Sequence, residues 1–307
     1  MIFTLFFIFM GLLLFIIGMQ LISRGLKLLS FFRVERIIRN ITYSPTMGLI
    51  TGTVTTAILQ SSSAVTVITI GLVNSGLMSF YQSIGIILGT NIGTCFTAFL
   101  FAYSIVDYYW IFLLTGALLS LSKKLRYNSL GVATFGLGLV FLGFYCLTVG
   151  VAPIKESPDL LQIISKMSNN NISAVIAGTL FSAIVQSSSA TTVVVLALSQ
   201  ENLISLSAGI GIILGSNIGT CVTAVIAIIG ANRAAKKVAL AHVLLNVLGV
   251  AAFIPFINLY SNFLMTIFTD LSMQIIWGQL IFNILCSLLI LPFVRPFAKV
   301  VEYIAKK

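Results

Sequence analysis

Charge is the scarcest ingredient of this 307-residue sequence: 17 Lys and Arg with 7 Asp and Glu amount to 8% of it. Soluble domains carry about a quarter charged residues. A chain that is 59% hydrophobic, with a mean hydropathy of +1.12, lacks the polar surface to cover a water-facing globule. Soluble globular and disordered classes are thereby excluded. Thiols and imidazole are scarce too. The four cysteines, Cys95, Cys146, Cys221 and Cys286, lie in apolar stretches and read as small buried hydrophobes, not as a disulfide framework. With one histidine, His242, there is no Cys/His cluster for a transition metal. No carboxylate falls within the apolar segments, which leaves a proton relay through Asp or Glu unsupported. The net charge of +10 does not point to nucleic acid, because the basic residues sit in short clusters between apolar runs. The expected partner is the lipid bilayer, and no nucleic acid.

A bilayer core needs about twenty apolar residues per crossing helix. That criterion predicts an all-α polytopic membrane protein with about seven full transmembrane helices, at 2–22, 80–103, 108–122, 130–150, 204–230, 238–257 and 274–294. Two further stretches, 46–76 and 172–202, are too short for two crossings, and each has a polar centre: Gln60-Ser61-Ser62-Ser63 and Gln186-Ser187-Ser188-Ser189. Two half-helices meeting at a polar tip, a re-entrant hairpin, fit both facts. If each hairpin returns to its starting side, one face receives fifteen of the 17 basic residues and the other only Lys155 and Lys166. By the positive-inside bias this places the N-terminus outside, the C-terminus in the cytoplasm, and the chain in the cytoplasmic membrane. The N-terminal stretch reads as a retained helix, and 23–40, with Arg24, Lys27, Arg33, Arg36 and Arg39, as an amphipathic helix lying on the inner surface and held by anionic lipid, with phosphate sensing by those arginines as the alternative.

The chain repeats itself. Residues 60–67 match 186–193 at seven of eight positions, and 85–95 match 211–221 at ten of eleven, both at an offset of 126. Gly11, Gly18 and Gly25 recur as Gly136, Gly143 and Gly150 at an offset of 125. This predicts a first repeat over 1–128, a second over 129–258, and a last helix with a basic tail over 259–307. Three crossings separate the hairpins, so the repeats enter the membrane from opposite sides, as in inverted-repeat transporters whose binding site lies between the halves.

At each tip a half-helix begins, with unpaired N–H groups and partial positive charge. Backbone donors and the serine hydroxyls suit an oxyanion, while freed carbonyls and Ser, Thr, Gln and Asn oxygens suit a hard cation such as sodium. The stretches Gly89–Thr94 and Gly215–Thr220 are expected to interrupt the next helix of each repeat and bring Asn91, Thr94 and Thr97, and Asn217, Thr220 and Thr223, toward the hairpins. These threonines could instead bond their own helix backbone; the adjacent Asn-x-Gly favours the site. His242, on the face of Asn246, is expected to be a packed, hydrogen-bonded histidine, and Gln279 with Asn283 a polar packing pair. The serine clusters have no His or Asp near them in sequence to activate a nucleophile, which argues against an enzyme.

The paired Gln-Ser-Ser-Ser hairpins, each followed by Gly-(Thr/Ser)-Asn-Ile-Gly-Thr, resemble the type II sodium/phosphate cotransporter family, its bacterial branch included. The resemblance runs from Gly11 to about Pro292 and covers Arg233–Asn246. It implies sodium-coupled phosphate transport by alternating access, with phosphate and sodium at Gln60–Ser63 and Gln186–Ser189, and a sodium site of Gln186, Ser187, Ser188, Thr220 and Thr223. Sodium is then a co-substrate, and no cofactor is expected. Gln279 stands where the family commonly has a histidine. Many relatives carry a C-terminal PhoU-type domain; with the chain stopping at Lys307, regulation through such a domain in cis is expected to be absent, leaving a homo-oligomer or a separate regulatory protein as open partners. Carriage of another oxyanion, phosphate export and an anion channel are the competing readings.

Overall fold

The computed structural model describes residues 2–102, 104–168 and 170–306, with the side chains of 30–37, 39–41, 104, 105 and 167 left aside. Among the described residues it is all helix: α1 Ile2–Ile41, α2 Pro45–Leu59, α3 Ser62–Asn74, α4 Phe80–Thr94, a 3-10 stretch Cys95–Phe101, α5 Tyr109–Ser120 and α6 Leu125–Val151. Then follow α7 Pro158–Met167, α8 Asn171–Val185, α9 Ser188–Gln200, α10 Leu206–Gly219, α11 Cys221–Ala227, α12 Arg233–Phe253, α13 Ile257–Ile267, α14 Leu271–Ile290 and α15 Val294–Ile304. Six helical stretches are long and apolar enough to cross a membrane. The expected crossing at 108–122 is a shorter apolar helix, Val106–Ser120.

Both expected hairpins are present, and their turns have the same local cause. Ser44 caps α2 by accepting from the Met47 N–H at 3.3 Å, with Pro45 at the first helical position. The helix stops at Gln60, whose φ of 52° is left-handed, and Ser61 at once caps α3 by accepting from the Ala64 N–H at 3.2 Å. The second hairpin repeats this: Asn170 caps α8, Gln186 sits at φ 56°, and Ser187 accepts from the Ala190 N–H at 3.2 Å. Arms of 13 to 15 residues reach about 20–23 Å at 1.5 Å per residue, short of the bilayer core. Neither arm crosses.

Each hairpin packs onto the helix that follows it, α2 on α4 and α8 on α10. Thr53 donates to the carbonyls of Leu49 and Gly89, and Thr179, its counterpart 126 residues on, to those of Val175 and Gly215. The expectation that Gly89–Thr94 and Gly215–Thr220 interrupt the helix is met only at the end of each stretch. Both stretches stay helical until Thr94 and Gly219, and the change to a new helix falls at Thr94/Cys95 and Thr220/Cys221. The glycines serve contact instead: a Cβ on Gly89 would collide with the Leu49 carbonyl, and one on Gly215 with that of Val175. The same device joins α1 and α6 antiparallel, Gly18 facing Gly136 and Gly11 facing Gly143.

That antiparallel pairing puts the Arg24 end of α1 beside Leu125 at the start of α6. Hairpin one follows the far end of α1, and its base bonds to the start of α12 through Asn74 and Asn232. Hairpin two follows the other end of α6, and its base is tied there by the Lys155–Glu201 ion pair at 2.7 Å. The hairpins therefore enter the bundle from opposite ends. Ile50, Val54 and Ile58 on α2, and their counterparts Ile176, Leu180 and Ile184 on α8, form exposed stripes four residues apart. Lipid is the medium that covers such stripes, and the chain is a multi-pass membrane protein. The segment 23–40 differs from its expected separate surface helix, since α1 continues unbroken to Ile41. Arg33, Arg36 and Arg39 lie outside the described side chains.

The glycine contacts yield a stability prediction. Gly215→Leu should lower the melting temperature of the purified protein in detergent, with a cost of about 1–3 kcal/mol or more from overpacking. Gly71→Ala is the control: nothing lies within 4 Å of its added Cβ, so stability should hold or rise.

Candidate functional site

The two Gln-Ser-Ser-Ser tips arrive in the middle of the bundle from opposite ends and face one cavity of about 910 Å³. Every site residue expected from sequence except Asn91 and Asn217 lines it: Gln60, Ser61, Ser62, Ser63, Thr94, Thr97, Gln186, Ser187, Ser188, Ser189, Thr220 and Thr223. Asn91 and Asn217 line a second, much smaller cavity of about 10 Å³ together with Ser62, Ser63, Thr94, Ser188, Thr220 and His242. The fourteen residues thus come together. Four polar residues of α1 outside the expected set also line the large cavity: Gln20, Ser23, Arg24 and Lys27. Their spacing on the face of Phe15, Ile16 and Met19 was the signal available in the sequence.

The tips differ in how their glutamines are used. The Gln60 amide donates to the Ala57 carbonyl at 2.6 Å and accepts from Thr97 at 2.7 Å. Gln186 is exposed to the cavity, and among the described residues no hydrogen bond holds its side chain. Left-handed backbone ordinarily goes to glycine. A glutamine stands there in both repeats, at a strain of about 1–3 kcal/mol that glycine would not carry. With Ser61 and Ser187 bonded to the N–H groups of Ala64 and Ala190, the N–H groups of Ser62, Ser63, Ser188 and Ser189 are left at the open helix starts. Thr223 reaches across the repeats to the Ser63 hydroxyl at 3.4 Å.

Behind the tips, two asparagines lock the halves together. Asn246 of α12 accepts from Asn91 at 3.1 Å and donates to Cys221 Sγ at 3.4 Å and to the His242 carbonyl at 2.9 Å. Asn283 of α14 accepts from Asn217 at 3.1 Å and donates to Cys95 Sγ at 3.3 Å and to the Gln279 carbonyl at 2.9 Å. Each asparagine joins one repeat's Asn to the other repeat's Cys, so α12 and α14 hold equivalent places about a local twofold. The cysteines Cys95 and Cys221 are thus hydrogen-bond partners as well as buried hydrophobes. Two expectations about His242 are corrected. It is buried, but its Nδ1 has no hydrogen-bond partner among the described residues. It also lies near the serines that sequence distance had kept apart from it, in the wall of the small cavity.

At the opposite end a separate cavity of about 790 Å³ is lined by Asp107, Asp270, Ser199 and Gln200. An aromatic cluster stands between the two large cavities. Phe15 lines the first, Phe101 and Phe144 the second, and Phe101 packs against Phe15 at 6.1 Å and Phe144 at 4.8 Å between centroids.

Residues 14–149 and 155–278 match the family model described as Na+/Pi-cotransporter. The chain belongs to the Na+/Pi-cotransporter family. It is similar to the uncharacterized protein YqeW of Bacillus subtilis (strain 168), 35% identical over 291 residues, 94% of each chain. It is 24% identical over 283 residues to the putative inorganic phosphate export protein YjbB of Escherichia coli (strain K12), matching 92% of this chain and 52% of that protein. The chain thus spans about half the length of the export relatives it matches. A 54-residue stretch is 44% identical to sodium-dependent phosphate transport protein 2A of Oryctolagus cuniculus, covering 18% of this chain and 8% of that protein. No solved structure matches the chain. The two large cavities lie at opposite ends of one bundle, the duplicated motif lining the first and the aromatic cluster standing between them.

Because both tips face the cavity that Arg24 and Lys27 line, cysteines introduced at Ser61 and Ser187 should react together with a charged thiol reagent applied from that end. Labelling of one and not the other, in a background without the four native cysteines, would refute a shared cavity.

Proposed function

We propose that the protein carries inorganic phosphate across the cytoplasmic membrane, coupled to sodium, by alternating access between its two end cavities. The observation that carries this is the meeting of two oppositely inserted Gln-Ser-Ser-Ser tips in one cavity. Four open N–H groups at the starts of α3 and α9, the Ser hydroxyls and the free Gln186 amide offer donors on several sides of a tetrahedral oxyanion. Arg24 and Lys27 add positive potential along the approach. Sodium is assigned to Gln186, Ser187, Ser188, Thr220 and Thr223. The Thr220 hydroxyl donates to the Ser216 carbonyl at 2.8 Å and lies 3.0 Å from the Ser182 hydroxyl, and that of Thr223 donates to the Thr220 carbonyl at 2.9 Å, which leaves a lone pair on each for a cation.

In this reading the two repeats are 1–128 and 129–258, the N-terminus lies outside, and the cavity bearing Arg24 faces the cytoplasm. The Phe15–Phe101–Phe144 cluster is the closed barrier toward the outside, and it must part when the far cavity takes its turn. A tenfold sodium gradient supplies about 1.4 kcal/mol per ion, and 100 mV about 2.3 kcal/mol per charge, enough to drive phosphate in either direction according to the sign of the gradients. Names among the relatives include both export and sodium-dependent transport.

Proteoliposomes with an imposed sodium gradient provide the test. Labelled phosphate should move with the sodium gradient and reverse when the gradient is reversed, with little competition from sulfate. Ser188→Ala and Gln186→Gly should lower the flux at least about tenfold, a loss of about 1.4 kcal/mol or more. The glycine variant is the sharper of the two, because it relieves the left-handed backbone while removing the amide. Phosphate flux indifferent to sodium, or both variants at full rate, would reject the reading.

A further inference from the structure

We propose that α15 is a membrane-surface helix that binds anionic phospholipid and, through α12 and α4, braces the packing beneath hairpin one. The 20 residues of α14 already rise about 30 Å at 1.5 Å per residue, enough to cross the bilayer core by themselves. Because α14 starts beside Asp270, in the wall of the far cavity, its other end lies where the bundle bears Arg24. There a 3-10 turn, Leu291–Phe293, with Pro292 in it, breaks the helix, and α15 packs on α4 and α12.

Three faces of α15 meet three different media. Val294, Phe297, Ala298 and Val301 are buried in the apolar cluster of α3, α4 and α12. Arg295, Lys299, Glu302 and Lys306 follow one another at helical spacing along a second face. Pro296, Val300 and Ile304, four residues apart, form a third, with Val300 50% and Ile304 41% exposed. A helix lying in water has no use for the third face, and one immersed in hydrocarbon has none for the second. The boundary between the two accommodates both.

Charge decides which lipid meets it. Lys237 of α12 donates to Glu302 at 2.8 Å and stands over the Phe80 ring, 5.9 Å from its centroid. The single carboxylate of α15 is therefore engaged, and the helix is fastened to the first turns of α12 and α4. Arg295 and Lys299, with Arg233 and Lys236 at the start of α12, have no acidic partner among the described residues. Unmatched cations beside an exposed apolar row fit a phospholipid anion, its phosphate on Arg295 and Lys299 and its acyl chains along Val300 and Ile304. A zwitterionic lipid offers the same chains without the net charge. The buried face of α15 shares its cluster with Ile84, Ile86 and Ile87 of α4, the helix that receives hairpin one.

Native mass spectrometry of the purified full chain, supplied with equal phosphatidylglycerol and phosphatidylcholine and no inorganic phosphate, tests the docking. The unsubstituted protein should retain phosphatidylglycerol preferentially and melt at a higher temperature in its presence. Arg295→Gln with Lys299→Gln should weaken that preference roughly thirtyfold and abolish the shift in melting temperature. Lys123→Gln with Lys124→Gln, the same loss of charge in the loop before α6, should keep most of it. Val300→Ser with Ile304→Ser leaves the charge intact and should still lower the phosphatidylglycerol retained. No preference in the unsubstituted protein, or equal loss in the two glutamine variants, would overturn docking on α15, and full retention in the serine variant would turn the surface into a site for a soluble acidic partner. These readouts stand apart from transport. On the reading that the chain carries phosphate, sodium-driven flux should be severalfold higher with phosphatidylglycerol in the proteoliposomes, and Arg295→Gln with Lys299→Gln should lose the difference. Equal flux with and without that lipid would remove the brace on hairpin one.

Discussion

A backbone that stops being helical inside a membrane must find partners for its N–H and C=O groups within the protein, and the architecture follows from that need. The arms α2–α3 and α8–α9 are too short to reach water at both ends, so their turns lie at membrane depth. Ser61 and Ser187 satisfy one N–H each by capping, and the remaining ones open into the central cavity. The polar groups that a hydrocarbon core would penalise are thus the groups available to a charged solute. The tips' instability in lipid and the binding proposed for them have one origin.

Holding two such tips together requires close backbone contact without a hydrophobic drive, since lipid is as apolar as any side chain. Glycine supplies the contact, at the α1–α6 seam and where α4 and α10 receive the hairpins. Specific polar bonds supply the register. The crossed Asn91–Asn246–Cys221 and Asn217–Asn283–Cys95 sets bind each repeat to the other through α12 and α14. They also leave the carbonyl oxygens of Asn91 and Asn217 without a protein donor among the described residues. The apolar core divides accordingly: one large cluster gathers α6, α9, α10 and α14, and another gathers α3, α4, α12 and α15.

The two halves are alike without being the same. Gln60 is tied down by Ala57 and Thr97 while Gln186 is free, and His242 stands where the twofold places Gln279. After the second broken helix, α12 packs on α3 and α4, whereas α5, after the first, lies against α6; the counterpart of α12 is α14. Duplicated backbone with unequal side chains lets one scaffold present two chemically different environments about a common centre.

Sequence by itself determined what depends on local chemistry and on counting: apolar run length, the doubled Gln-Ser-Ser-Ser tips, the charge bias that made the hairpins re-entrant, and the residues that converge. Those features are written in neighbouring residues or in a match at constant offset, and no folding is needed to read them. Other matters were decided by tertiary structure alone. Whether Gly89–Thr94 unwinds or packs depends on how near α2 comes, and the carbonyl of Leu49 settles it. That Asn91 and Asn217 sit behind the tips, that His242 joins the serines, and that Arg24 faces a cavity and not the membrane surface all depend on contacts between residues far apart in sequence, 155 for Asn91 with Asn246 and 66 for Asn217 with Asn283, or on the direction α1 takes past Ser23. Periodicity carries no information about partners at that range, because one helical face can look toward lipid, protein or water with the same residues on it.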